Sequence, residues 1–286
     1  QSRSSAASDV YKRQVMLPIM DGFAKYLSSD LPVLQITWAR YFFTVAFTLP
    51  IMFFFFRKNL VWTDKPKLQL IRGLILLTAN VCFFYSISII SLAKALTLAF
   101  IAPLIVTAFS PIFLGEKVGF RRWSAVIIGF IGSMVVIRPG FVEINLASLA
   151  ALGTGVMYGF YLIITRKLSS SDNPLLTLLL TGVVGAIIIS FVMPFVWIKP
   201  TLNQWSMMAA IGIFACVGHL FIILSLKYAD ASKLAPFSYF EIVTNIIIGY
   251  YFFSDFPDKW TFLGLFIIIL SGIYISRREN IVKRLK

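Results

Sequence analysis

Charge is scarce in this 286-residue chain: 13% of its residues are Asp, Glu, Lys or Arg, against about 25% in soluble domains. Acid is scarcer still, with 12 Asp and Glu to 26 Lys and Arg. There is one histidine, His219, and there are two cysteines, Cys82 and Cys216, both inside apolar runs. So few sulfur and imidazole groups exclude a disulfide framework and a zinc ligand set, and the cysteines read as small core residues. No metal and no cofactor is expected. The glycine-rich phosphate loop of ATP-driven pumps is missing, as are the zinc-protease and serine-hydrolase signatures, so an enzyme is not expected either.

What fills the space is apolar. Hydrophobic residues make up 59% of the chain and mean hydropathy is +0.86, whereas soluble domains run about 45–50% apolar. A water-facing surface cannot absorb that excess, which excludes a soluble domain and a disordered chain. Apolar stretches fall at 15–28, 33–56, 70–90, 95–114, 121–138, 147–165, 175–198, 205–226, 234–253 and 260–276. Most approach the roughly 20 residues that a helix needs to cross a bilayer. The fold class implied is an all-α polytopic membrane protein of ten transmembrane helices. Its first span is short and holds Asp21 and Lys25, and residues 1–14 are polar without a signal-peptide pattern, so they read as a non-native or disordered segment.

The basic excess sorts by side. Alternate loops and the C-terminal stretch from Arg277 through the basic tail at 279–286 carry seventeen Lys and Arg, among them Arg57, Lys58, Lys65, Lys67 and Arg72 in one cluster, whereas the opposite side carries five. Such a bias marks the cytoplasmic face and places both termini there. It accounts for most of the +14 formal charge without nucleic acid, and attraction to anionic membrane lipid contributes further.

The two halves also echo each other. Ser91-Leu-Ala-Lys-Ala95, an apolar helix, a break at Gly115-Glu116, Trp123 and a glycine-containing helix ending at Arg138 have a counterpart half a chain later. It runs Lys227-Tyr-Ala-Asp-Ala231, an apolar helix, a break at Ser254-Asp255, Trp260 and a helix ending at Arg277. Five spans per half force the halves into opposite orientations, the usual build of secondary transporters. The strings Asp21-x-x-x-Lys25, Gln35-Ile-Thr-Trp-Ala-Arg40, Gly115-Glu116-Lys-Val-Gly119 and Arg138-Pro-Gly140 resemble the EamA domain of the drug/metabolite transporter superfamily. The later strings Gly218-His219, Ala235-Pro-Phe-Ser-Tyr239, Gly249-Tyr250 and Asp255-Phe-Pro-Asp258 are similar to the second copy of that domain. Within the superfamily the chain most resembles the bacterial branch that includes an S-adenosylmethionine carrier, and the related animal solute carriers. It departs from the pattern in its short first span, at Lys94 and at Glu241. The resemblance implies two inverted repeats, 15–140 and 147–278, with helices 1 to 4 and 6 to 9 around a central cavity.

Ionisable groups within spans cost about 2.5–3.5 kcal/mol on insertion scales and should face a cavity or a partner. Arg40 lies eight residues into the second span, about 10 Å from its outer end. Its planar fork suits a substrate carboxylate or a structural pair with Asp21. Asp21 and Lys25, one helical turn apart, are expected to satisfy each other as an ion pair. Glu241, equally deep in the ninth span, suits proton coupling, a cationic amine, or an ion pair with Lys94, Arg40 or Lys227, and Asn245 shares its face. His219 reads as a substrate-facing, pH-sensitive group or as a bond between helices. Trp38, Tyr85, Tyr158, Tyr161 and Tyr239 have polar tips that need partners and could wall a cavity for planar or cationic solutes. Glu116, beside Lys117, Arg121 and Arg122, reads as a boundary ion pair. Gly155-x-x-x-Gly159 permits close helix approach, and Pro103, Pro111, Pro194 and Pro236 are expected bend points.

The function expected is a secondary carrier of a small organic metabolite, amino-acid-like, an amine or S-adenosylmethionine-like, in the inner membrane. A small-molecule substrate, membrane lipid, a coupling proton and a second copy of the chain are the candidate partners. The competing class is a non-transporting membrane assembly or sensor protein.

Overall fold

Clusters of Pro, Gly, Asn and Asp mark several of the turns between apolar runs, as at Asp30-Leu-Pro32, Gly115 and Asn173-Pro174, and the described runs between are helices. The computed structural model describes residues 16–56, 63–115, 118–138, 145–168, 173–228 and 240–284. Among them every regular element is helical: α1 (16–27), α2 (Val33–Phe56), α3 (Pro66–Ile89), α4 (Leu92–Ala99), α5 (Ala102–Leu114), α6 (Phe120–Ile137), α7 (Leu146–Leu168), α8 (Pro174–Ser190), α9 (Met193–Val196), α10 (Leu202–Tyr228), α11 (Phe240–Phe253) and α12 (Lys259–Arg284). The polar segment at 1–14, Glu116, Pro236 and Tyr239 lie outside the described residues.

Among the described residues six stretches are long and apolar enough to cross a membrane: Val33–Phe54, Pro66–Ile89, Leu92–Leu114, Phe120–Ile137, Leu146–Leu168 and Leu202–Leu224. Pro174–Ser190, Glu241–Phe253 and Lys259–Ile275 are shorter apolar helices. Their outer faces are apolar: Phe54, Ile112, Ile131, Phe195, Tyr251 and Phe266 are all exposed. A belt of this kind suits lipid, and the molecule is a multi-pass membrane protein.

At two of the prolines expected to bend a span, the helix is broken outright. Pro103 has no N–H to give the carbonyl of Ala99, so the helix stops at Ala99, passes through Phe100 and Ile101, and restarts as α5. Pro194 likewise withholds a donor from Ser190, and α8 ends there before the single turn of α9. Pro111, by contrast, lies within α5 without ending it. Side-chain caps mark other starts: Ser91 accepts from the Lys94 amide at the head of α4, and Asn173 from the Leu175 amide at the head of α8.

Packing joins early helices to late ones. α3 lies along α7, α2 along α8 and α10, α4 against α7 and α11, and α6 against α12. The α6–α12 crossing is close because Gly132 and Gly264 face each other; a Cβ on Gly264 would meet the Gly132 carbonyl oxygen at 2.6 Å. The main apolar core draws on both halves, from Leu17, Met20 and Ile36 to Ile211, Ile242 and Ile268.

Candidate solute cavity

Between these helices lies a cavity with about 850 Å³ of atom-free space, part of it continuous with the outside. α3 contributes Leu76, Ala79, Asn80 and Phe83, the i, i+3, i+4, i+7 stripe of one helix face. The α4–α5 break adds Leu96, Ala99, Phe100, Ala102 and Pro103, and α7 adds Thr154, Tyr158 and Leu162. Among the described residues, two carboxyl groups and an imidazole enter this mostly apolar wall: Asp21 from α1, Glu241 from α11 and His219 from α10. All three are buried, at 3%, 5% and 5% exposure. Asp21 feels the charge of both Glu241 and Arg40. The cavity thus presents two carboxyl groups from opposite ends of the chain beside the rings of Phe83, Phe100 and Tyr158. Carboxylates and aromatic faces together attract a cation.

Behind His219 runs a buried polar chain. Arg40 Nη2 lies 2.7 Å from His219 Nε2, and His219 Nδ1 lies 3.3 Å from the Tyr161 hydroxyl. Because a guanidinium only donates, Nε2 accepts and the neutral ring carries its proton on Nδ1, facing Tyr161. Tyr161 also accepts from Arg72 Nη2 at 2.8 Å. Arg72 is fully buried and donates further to Thr165 Oγ1 at 2.8 Å, Thr181 Oγ1 at 2.6 Å and the Thr177 carbonyl at 3.2 Å, with its guanidinium 4.6 Å from the Tyr161 ring centre. Hydroxyls and a carbonyl therefore receive this cation. A second, smaller space touches Arg40, Arg72, Tyr161 and Thr181, and among the described residues only Leu76 and His219 border both cavities.

Several expectations change against this geometry. Lys25 does not pair with Asp21. Its ammonium binds Asp255 at 3.0 Å and the carbonyls of Ile87 and Ile90 at 3.0 and 2.9 Å. The end of α3 supplies carbonyls with no helical donor, which together with a carboxylate outweigh a single neighbour on α1. Asp21 is thereby left to the cavity, where its carboxyl has no hydrogen bond or ion pair among the described residues. Arg72, grouped by sequence with the loop cations, is a core residue. Of the expected site residues, Glu241, His219 and Tyr158 line the cavity, whereas Arg40 sits behind the imidazole. Tyr85 falls off the lining stripe of α3, two residues past Phe83 and so on another face. Trp38 faces α8: it donates to Ser190 at 2.9 Å and stacks on Phe42. Asn245, fully buried, donates to the Glu241 carbonyl at 3.1 Å and does not reach the cavity. Asn80, Thr154, Phe83 and Phe100 line it without having been singled out, since nothing in an apolar run tells a cavity face from a packed one.

A bundle of apolar helices around a partly polar cavity, open in part to the outside, defines a membrane protein built to house a small solute. Residues 19–138 and 145–277 each match the EamA-like transporter family, and the chain belongs to that family. Among its relatives, an S-adenosylmethionine uptake transporter of Rickettsia felis is 28% identical over 260 residues, covering 91% of this chain and 88% of that protein. A riboflavin transporter of Vibrio cholerae is 26% identical, covering 92% and 89%. A pseudopaline exporter of Pseudomonas aeruginosa is also 26% identical, covering 92% of each. One solved crystal structure shares the fold with a TM-score of 0.69 at 16% identity, covering 96% of this chain and 98% of that one.

Proposed function

We propose that this protein is an alternating-access carrier of a small metabolite bearing a cationic centre, amino-acid-like, an amine or S-adenosylmethionine-like. The observation that carries the reading is the cavity, whose carboxyl groups come one from each matched stretch: Asp21 from the first and Glu241 from the second. A solute held between them touches both halves at once, which is what a rocking carrier needs of its cargo. Relatives named for S-adenosylmethionine, riboflavin and pseudopaline support metabolites as the cargo class.

In this reading the chain forms ten spans in two inverted repeats, about 15–140 and 147–278. Both termini and the basic tail at 279–286 face the cytoplasm across the inner membrane, the side favoured by the Lys and Arg bias. The pairing of early with late helices supports the repeat: α3 on α8 has its counterpart in α10 on α2.

Counterflow of labelled S-adenosylmethionine, methionine and simple amines into proteoliposomes tests the reading. Asp21→Asn and Glu241→Gln keep shape and remove charge. A charge-assisted contact is worth about 1.5–3 kcal/mol, so each variant should lose roughly 10- to 150-fold in affinity for a cationic cargo. Wild-type uptake by a folded Glu241→Gln protein, or no counterflow of any of these solutes, refutes it.

A further inference from the structure

One edge of the Arg40 guanidinium is half used. Nη2 donates to His219, while the buried Nε has no hydrogen-bond partner. Those two N–H groups form the edge that grips a carboxylate with two parallel bonds. An imidazole nitrogen has one lone pair and fills one of them. A buried donor left over costs about 1–3 kcal/mol, so a two-oxygen acceptor satisfies this edge better than the histidine does.

His219 is also the partition. Its ring borders the cavity holding Asp21 and Glu241 on one side and the space around Arg40 and Arg72 on the other. Its second nitrogen is held at 3.3 Å by Tyr161, a long contact compared with the 2.7 Å bond to Arg40. Moving the ring aside would open Arg40 to the cavity and vacate a volume larger than a carboxylate.

We infer that His219 is a displaceable cap on a carboxylate subsite. In the empty protein the imidazole occupies the edge of Arg40. A cargo carrying both a cation and a carboxylate, such as an α-amino-acid head group, takes that edge with its carboxylate while its cation lies at Asp21 and Glu241. His219 is a positioning residue, acting through Arg40. The inference rests on the carrier reading and narrows its cargo to zwitterions.

The chain has one histidine, so isotope-labelled histidine gives a single imidazole to follow by NMR in the full chain in nanodiscs. At neutral pH without ligand the ring is expected neutral and protonated on Nδ1; a ring protonated on Nε2, or on both nitrogens, overturns the cap. His219→Ala should leave the edge open. Millimolar acetate, compared with equal chloride, should then raise its melting temperature by a few degrees, with no response in wild type or in His219→Ala combined with Arg40→Gln. An equal response in wild type, or one that survives loss of Arg40, overturns the subsite. Should His219→Ala not fold, the wild-type resonance decides: S-adenosylmethionine should shift it and decarboxylated S-adenosylmethionine should not, and the same shift from both overturns the inference. If the tautomer and acetate results hold while no zwitterion tried is bound or carried, the subsite stands and the cargo reading fails.

Discussion

Tyr161 illustrates how much one hydroxyl can hold. It accepts from Arg72 at 2.8 Å and from His219 at 3.3 Å, so it serves a buried cation and the partition of the cavity together. Tyr161→Phe keeps the ring that Arg72 stacks on and removes only the acceptor. Two buried donors then lose a partner, at about 1–3 kcal/mol each and more for the charged one. The expected outcome is a melting temperature lower by several degrees in detergent, while Tyr158→Phe, which keeps its stacked ring 5.4 Å from Tyr161, should change it less. An unchanged melting temperature in Tyr161→Phe contradicts this account. The sequence marks Tyr161 as one of four cavity-wall tyrosines and does not rank it above Tyr85, Tyr158 or Tyr239. Its importance comes from Arg72, which counting by loops places at the membrane surface. The threonines at 177 and 181, one helical turn apart, were the legible hint of a polar stripe inside an apolar helix.

At the scale of elements, the break between α4 and α5 and the glycines of α7 form one device. Pro103 leaves carbonyls near the break without helical donors, and α7 packs directly against them. A Cβ on Gly155 would meet Ile101 Cγ1 at 2.5 Å and the Ala99 carbonyl oxygen at 2.8 Å; one on Gly159 would meet the Ala102 carbonyl oxygen at 3.0 Å. Backbone cannot yield as a side chain can, and overpacking costs about 1–3 kcal/mol. Gly155→Ala should therefore lower the melting temperature and, by pushing Ala99 and Phe100 into the cavity, reduce uptake. Gly153→Ala is the control, since nothing lies within 4 Å of its Cβ position, and there alanine should stabilise the helix slightly. Equal behaviour of the two variants counts against the device. The glycine pair and the proline were both visible in the sequence, but their meeting was not.

Across the whole molecule, two ion pairs tie the first matched stretch to the second. Lys25 binds Asp255 at 3.0 Å and Arg138 binds Asp258 at 2.6 Å. Burial alone would raise the Asp258 carboxyl, but hydrogen bonds from Thr261 and the charges of Arg138 and Lys94 outweigh it and hold it below its ordinary value. A carboxyl with a depressed value stabilises the fold fully above the unfolded value, about 3.9 for Asp. That contribution is lost as pH falls through the lower folded value. The difference in melting temperature between wild type and Asp258→Asn should thus be constant from pH 7 to about 4 and collapse below that. It should be small, because the Asp258 side chain is 43% exposed and water screens the pair. A difference that already fades between pH 7 and 5 contradicts the assignment.

Composition by itself determined that the chain lives in a membrane as apolar helices, because 59% apolar residues have no other stable solvent. Order and spacing determined the family, since short strings recur across two halves. Tertiary structure alone decided which polar groups meet. Helical spacing pointed Lys25 at Asp21, yet carbonyls at the end of a distant helix hold it more strongly. Loop counting put Arg72 in water, yet hydroxyls from two other helices receive it. Charge placement in a protein interior depends on the sum of donors and acceptors within a few ångströms, and those come from segments that the sequence keeps far apart.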